Sequence, residues 1–397
     1  MKDKPRVYYI TQFITAIFWG SVIPVYVLYF RHFDLNLFQV AFMAAIFESS
    51  ILIFELPTGL VADIYGRRIS LLLSALVLFF GGLVFIKFPT FFGFIIAEIT
   101  VGVGYTLKSG AFEAWIFDSL KHEGKEKDAK EVFSQGKRYQ TAGELLGMIL
   151  GGYIGFWSIN FVWYPFAFGS LATFVFLFLA MREEYWEKAK EKIKVFKQIK
   201  DTIQKSLEVV RQKKLILALV VLGIFSSFSF ETISQFWQVH FSENLSVATS
   251  YFGWIVAGSS LLVILLVNKV SKFSEFFKKE TTLLLILKIG FFISFLIIAF
   301  TYNPILTIIF FILLHGFEGF SAPIFLDIFN RHIPSEQRAT LLSFQSMTGS
   351  GGEVLAGLFM GFFALNFGLR PTFGLGSLVM IIGVLVFFAL ILQNKKL

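Results

Sequence analysis

Read from its first residue, the chain alternates long apolar stretches with short polar ones. The apolar stretches run over roughly 7–30, 38–62, 69–87, 91–118, 132–156, 161–181, 215–241, 249–268, 281–301, 304–327, 338–365 and 370–393. About 20 apolar residues is the length at which a helix crosses the hydrocarbon core of a bilayer. The pattern therefore predicts an all-α membrane protein with twelve transmembrane helices, and the even number puts both ends of the chain on one side. The first stretch is too long for a signal-peptide core and has no small-residue cleavage site after it, so it is expected to be retained. The one long polar segment, 182–214, splits the chain into an N-terminal six-helix part (1–181), a linker (182–214) and a C-terminal six-helix part (215–397). Within the linker, Ile193, Phe196, Ile199, Ile203, Leu207 and Val210 recur every three to four residues, the pattern of an amphipathic helix lying on a membrane face.

Composition narrows the class. The 397 residues are 56% hydrophobic and 16% charged, against about 25% charged in soluble domains. With a mean hydropathy of +0.73, a soluble enzyme, a nucleic-acid binder and a disordered chain are all excluded. Phe alone supplies 53 residues, more than a soluble core of this size needs. The net charge of +8 is explained by its distribution. Thirty of the 35 basic residues fall at the two chain ends and in the loops on their side. Three, Arg31, Lys87 and Arg370, fall on the other. By the positive-inside rule both termini are cytoplasmic. The chain has no cysteine, so disulfides, thiolate metal sites and Cys nucleophiles do not arise.

A shift of 209 residues sets Asp118 on Asp327, Gly143 on Gly352, Glu144 on Glu353 and Gly152 on Gly361. A shift of 210 sets Leu35 on Leu245 and Phe42 on Phe252. Two six-helix halves joined by a central loop give this result. Parallel repeats of that kind place a substrate site at their interface near the midplane.

After the second stretch the chain reads Gly59-Leu-Val-Ala-Asp63-Ile-Tyr-Gly66-Arg67-Arg68. Gly59 permits close helix approach, Gly66 suits the positive φ of a tight turn, and the two arginines anchor the loop on the basic side. Asp63 can cap a helix or pair with an arginine. These residues resemble the hallmark loop of the major facilitator superfamily, G-x-x-x-D-x-x-G-R-R/K, in the position where that family carries it. In the fifth stretch, Gly143, Gly147, Gly151 and Gly152 are similar to an exporter-associated glycine pattern, with Met148 where that pattern has proline. In the fourth, the spacing from Gly102 and Gly104 to Asp118 also matches. Glu98 stands where the family has arginine.

The resemblance, nearest to the twelve-span drug/proton antiporter-like members, implies the major facilitator fold of two pseudo-symmetric six-helix bundles. It implies a secondary transporter working by alternating access, monomeric, in the plasma (bacterial inner) membrane. It further implies that Asp63 is held near the start of the eleventh helix and Arg67 near Asp118, as a latch. Asp327 with the loop at Asn268 and Lys269 would be the second-half counterpart.

A carboxylate inside a span is costly unless it meets a partner or a cavity. Glu48 and Glu55 lie seven apart on one stripe, as a proton relay or as support for the 59–68 loop. Glu98 lies in the outer half of the fourth span, and Lys108 points away from it. On the seventh span, Ser227, Glu231, Gln235 and Gln238 form a polar stripe, with Glu231 near the midplane. On the tenth, His315 and Glu318 are three apart, either a proton-moving pair or a buried interhelical hydrogen bond. Glu144 and Glu353, beside glycines at equivalent repeat positions, read as structural. Trp19, Tyr26, Trp115, Phe230, Trp237 and Trp254 suit an amphipathic or cationic ligand.

There is no phosphate-binding loop, no metal-ligand spacing and no nucleophile elbow, so no cofactor, metal or catalytic residue is expected. The expected function is proton-coupled export of small amphipathic or cationic compounds, with the proton as coupling ion and the bilayer and a small molecule as partners. The alternatives are an importer or facilitator of a small polar solute, and a non-transporting membrane receptor.

Overall fold

The structure is a computed structural model. It describes residues 3–183, 213–277, 279–333 and 338–394, and among these all regular structure is helical. Helix α1 (Lys4–Val22) is capped by Asp3, whose side chain accepts from the Arg6 N–H, and has proline in its first turn. A tight turn at Ile23–Val25 containing Pro24 separates it from α2 (Tyr26–His32). Asn36 and Gln39 exchange hydrogen bonds of 2.9 and 3.0 Å with each other's backbone and open α3 (Leu37–Tyr65). Then come α4 (Arg67–Lys87), α5 (Phe91–Lys108), capped by Thr90, α6 (Ala111–His122), α7 (Ala129–Trp157) and α8 (Trp163–Ala180).

Past the central segment lie α9 (Lys214–Val239), which runs into a π-helical turn at His240–Asn244, α10 (Phe252–Val267) and the short α11 (Val270–Phe276). Next are α12 (Glu280–Phe300), α13 (Pro304–His332), capped by Asn303, α14 (Arg338–Phe367) and α15 (Leu369–Asn394).

Eleven helical segments among the described residues are long and apolar enough to cross a membrane. The predicted stretch 132–156 is helical, inside α7, but is not one of the eleven. Its glycines, Gln140 and Glu144 dilute its apolar side chains. Two predicted stretches are broken. The first breaks at Pro24, which has no N–H to donate, and 91–118 breaks at Gly110, which has φ +70. Helix α11 lies in what reads as a loop. The amphipathic linker helix falls on 184–212, outside the described residues.

The chain divides into two compact units. One holds α1 to α8 with the segment Ala248–Trp254, and the other holds the rest. Each buries polar groups and exposes apolar ones, as expected where lipid replaces water. Phe92, Leu179, Leu355 and Phe362 stand exposed, while Glu98, Lys288, Ser229 and Thr307 are buried.

In the first unit the tightest helix pair is α1 with α7. Gly143, Gly147 and Gly151 lie against the carbonyls of Phe13, Ile17 and Ser21, a constant offset of one turn each, so the two helices run in the same direction. Gly20 returns the contact, its position for a side chain being only 2.7 Å from the Glu144 carbonyl. Small residues let two backbones meet in this way and make Cα–H···O contacts. Gly152 faces Gly253 of the same unit at 2.8 Å by the same measure. Gly59 differs: among the described residues a side chain there would meet nothing within 4 Å.

Gly147→Leu should therefore destabilise the protein by about 3 kcal/mol, because its side chain has no space that the α1 backbone does not fill. Gly59→Ala should leave the melting temperature unchanged or raise it, since alanine removes the entropic cost of glycine within a helix, roughly 0.5–1 kcal/mol. Thermal unfolding of the purified protein in detergent measures both. Equal melting temperatures for the two variants would refute the ridge.

Candidate functional site

The 59–68 loop closes on Gly66. Its φ of +96 ends α3, its N–H donates to the Ala62 carbonyl at 3.1 Å, and α4 starts at the next residue. The first N–H groups of a helix have no partner within it. Here those of Arg67 and Arg68 donate to the two carboxylate oxygens of Glu183, at 3.0 and 2.9 Å. A carboxylate at a helix N-terminus is favoured by the helix dipole as well as by the hydrogen bonds. The Arg67 guanidinium pairs with Asp118 on α6 and donates to the Ala114 carbonyl at 3.2 Å. Arg68 donates to the Phe178 carbonyl at 2.9 Å and lies 5.7 Å from the Phe178 ring centre. Trp115 Nε1 donates to the Arg182 carbonyl at 3.0 Å. The loop thus ties α4, α6 and the end of α8 together.

Asp63 is exposed. The eleventh-helix partner implied for it falls on side chains outside the described residues. Past the end of α6, Lys125 (3.1 Å) and Lys4 (3.4 Å) reach Glu123. The Lys125 hydrogen bond, with Lys4 adding to it, holds that carboxyl below the usual carboxylate range.

The second unit carries a related arrangement with the charges exchanged. In the first unit the cation, Arg67, opens α4 and the anion, Asp118, lies near the end of α6. In the second the anion, Glu280, opens α12 and the cation, Arg331, ends α13, pairing also with Asp327 one turn earlier. Asp327 meets Arg331 instead of the loop at Asn268 and Lys269.

Within the apolar segments, each unit holds its ionisable side chains differently. In the first, Glu98 on α5 is 2% exposed, and the Tyr26 hydroxyl donates to it at 2.6 Å. The break at Pro24 restarts the helix at Tyr26 and so sets that phenol. Glu48 is half-buried on α3 and Glu55 is exposed. In the second, Gln235 Nε2 donates to Glu231 at 2.7 Å, and the Gln235 amide oxygen is buried with no partner.

His315 and Glu318, adjacent in the helix, turn to different partners. His315 Nδ1 donates to the Phe311 carbonyl at 2.9 Å. Glu318 meets Lys288 of α12, whose side chain is 4% exposed, at 2.6 Å. Ser226 of α9 closes the triangle: its hydroxyl accepts from Lys288 at 2.6 Å and donates to Glu318 at 3.2 Å. Lys288 is a site residue that periodicity within one helix does not reveal. The signal for it was a lone ammonium in the apolar run of α12, which needs a counter-charge from elsewhere.

The other intramembrane lysine, Lys108, ends α5 and donates to Thr15 of α1 at 3.2 Å. It lines a cavity of about 200 Å³ inside the first unit together with Thr15, Trp19, Tyr105, Gln140 and Glu144. The Glu144 carboxylate, read from sequence as structural, faces this cavity and accepts from Gln140 at 2.8 Å, while its backbone packs on Gly20. Among the described residues no three of His, Asp and Glu converge as metal ligands.

Two outcomes follow. Glu318→Gln and Lys288→Met each strand the opposite charge and should each cost about 3 kcal/mol of stability, while the double variant should cost less than their sum. Additive losses in that double-mutant cycle would mean the pair is not an energetic unit. Glu183→Ala should cost about 1 kcal/mol by uncapping α4, read as a lower melting temperature.

Comparison with known proteins adds the family. The model of the Major Facilitator Superfamily matches residues 8–272 and 219–397. YxaM of Bacillus subtilis (strain 168), an uncharacterized MFS-type transporter, is 26% identical over 397 residues, covering 96% of this chain and 94% of that one. Among solved structures, the nucleoside transporter NupG superposes with a TM-score of 0.83 over 98% of this chain and 99% of its own, at 13% identity. The peptide transporter POT in complex with sulfate gives 0.74 over 99% and 94%, also at 13% identity. At that identity these two likenesses speak for the fold. With the family model spanning nearly the whole length, the chain belongs to the Major Facilitator Superfamily and is an integral membrane transporter of that family.

Proposed function

We propose that this transporter couples proton movement to the export of small amphipathic or cationic compounds. It works as a monomer by alternating access, in the plasma membrane, with both termini cytoplasmic. The observation that carries the coupling is the contrast between the neutral phenol that meets the buried Glu98 and the ammonium that meets Glu318. Glu98 faces a phenol, so it can gain or lose a proton without breaking an ion pair at that contact, and Glu231 accepts from the Gln235 amide. Glu318 faces an ammonium, so a proton arriving there releases Lys288. One set carries protons, and the other converts a proton into a rearrangement of α9, α12 and α13.

The orientation rests on the thirty-to-three bias of basic residues. The pairing of Arg67 with Asp118 supports a latch at the basic end of the first unit, which holds α4 against α6 until the transport cycle separates them. The aromatic side chains and the excess of carboxylates over cations around α3, α5 and α7 favour a ligand with positive charge. A second reading, movement of a small polar solute, is favoured by the hydroxyl and amide groups lining the first unit's cavity.

Everted vesicles carrying the protein and an imposed ΔpH, read by a pH-sensitive dye, test the proposal. Addition of a lipophilic cation should collapse ΔpH. Glu98→Gln and Glu231→Gln should abolish that response in protein that still elutes as a folded species. Full coupled transport in both variants would sink the assignment of these carboxylates. A response to sugars but to no cation would favour the second reading.

A further inference from the structure

The two intramembrane lysines are not equivalent. Lys288 has a carboxylate and a hydroxyl, each at 2.6 Å. Lys108 has one hydrogen bond among the described residues, to Thr15 at 3.2 Å, although an ammonium has three protons to donate. Glu113 and Glu144 lie within electrostatic reach of Lys108, yet no ion pair joins it to either. A cation out of water and without a direct counter-charge is costly. The end of α5 supplies part of the compensation. Lys108 is its last residue, the helix breaks at Ser109 and Gly110, and the negative end of the helix dipole favours positive charge there. The remaining donors line the cavity.

Another lining residue, Glu144 of α7, carries the converse defect. Its hydrogen bond comes from a neutral amide, Gln140 of the same helix, and no ion pair joins it to a cation among the described residues. The hydroxyls around it add acceptors. Thr15 donates its proton to the Thr11 carbonyl at 2.8 Å and Ser74 donates to Gly104 at 2.6 Å, so the free lone pairs of both are available to a ligand's donors. The cavity therefore presents one under-partnered ammonium and one under-partnered carboxylate, held apart on α5 and α7. A simple cation would leave Lys108 unmatched and repelled, and a simple anion would do the same to Glu144. A ligand with both charges satisfies both. In the same lining Trp19 lies 5.9 Å from Tyr105 and 5.8 Å from Phe166, ring centre to ring centre, an aromatic surface for an apolar body. About 200 Å³ is room for a solute of amino-acid size.

We propose that this cavity binds a small amphipathic zwitterion, taking its carboxylate on Lys108, its ammonium on Glu144 and its apolar body on Trp19, Tyr105 and Phe166. The proposal rests on the transport reading above and names the substrate class for it.

The test uses the full-length protein in nanodiscs and three charge forms of the same bodies: leucine, phenylalanine and tryptophan, their methyl esters, which are cations, and their N-acetyl derivatives, which are anions. Isothermal titration should show at least one free amino acid binding tenfold or more tighter than both of its derivatives. Lys108→Gln should weaken that amino acid at least tenfold and leave its methyl ester unchanged or tighter. Glu144→Gln should weaken the amino acid and leave its N-acetyl form unchanged or tighter. A purely structural role for either residue would shift all three forms together.

The proposal is overturned if the three forms bind alike, if the folded protein binds none of them, or if the variants move the forms in parallel. The comparison of charge forms on the unsubstituted protein decides the point even where a variant does not fold. Dissipation of ΔpH by a lipophilic cation without zwitterion binding overturns the site and leaves proton-coupled transport standing. Zwitterion binding with no ΔpH response to any compound does the reverse.

Discussion

Every charge placed inside an apolar span must find a partner, and the rest of this molecule is arranged around that constraint. In water an ammonium or carboxylate on a helix surface costs little. Between lipid-facing helices it loses its hydration and must be met by another side chain, a helix end or a ligand. In the second unit Lys288, Glu318 and Ser226 close into one triangle across three helices, and Glu231 accepts from the Gln235 amide. The first unit meets the constraint in part. Glu98 receives a phenol, Glu144 an amide, and Lys108 a single hydroxyl at the C-terminal end of its helix. The same chemistry in two degrees of completion separates a locked element from one that can take a ligand.

Close helix packing makes those partners possible. The ridge of Gly143, Gly147 and Gly151 brings α7 onto the carbonyls of α1. That approach carries Glu144 and Gln140 to the cavity that Thr15 and Trp19 line from α1. With larger side chains on the ridge, α7 would stand off and its carboxylate would no longer face the cavity that holds Lys108. The exporter-like glycine pattern therefore has a local use here that does not depend on the missing proline, since what it supplies is distance and not a kink.

What was legible in the sequence follows from what each signal reports. Hydropathy reports the solvent a segment prefers, so the positions of the apolar helices could be read directly. Alpha-helical spacing reports which residues share one face, so Glu231 and Gln235 could be joined correctly four residues apart. Neither signal reports what another helix brings. His315 and Glu318 read either as a proton-moving pair or as an interhelical hydrogen bond, and one helix's periodicity could not name the partner, Lys288, that meets Glu318 from thirty residues away. Glu183 looked like one more charge in a basic linker, but its two oxygens cap α4. The breaks at Pro24 and Gly110 were hidden by unbroken hydropathy, although both residues are ones that interrupt helices.

The internal repeat gains a physical meaning from the exchanged charges. The 209-residue shift sets Asp118 on Asp327. What is kept in space is the attraction between the start of one helix and the end of the next, while the sign each end carries has been reversed. Arg67 opens α4 and meets Asp118, whereas Glu280 opens α12 and meets Arg331. For holding the two elements together either polarity serves. For helix stability they differ, because an acidic residue is favoured at a helix N-terminus and a basic one is not. The second unit places Glu280 where the dipole wants it. The first places an arginine there and needs Glu183, brought from the start of the linker, to supply the negative charge at the head of α4. The borrowed carboxylate ties the beginning of the central segment to the 59–68 loop, so a displacement of residues 182 and 183 must act directly on the arginine that holds α6.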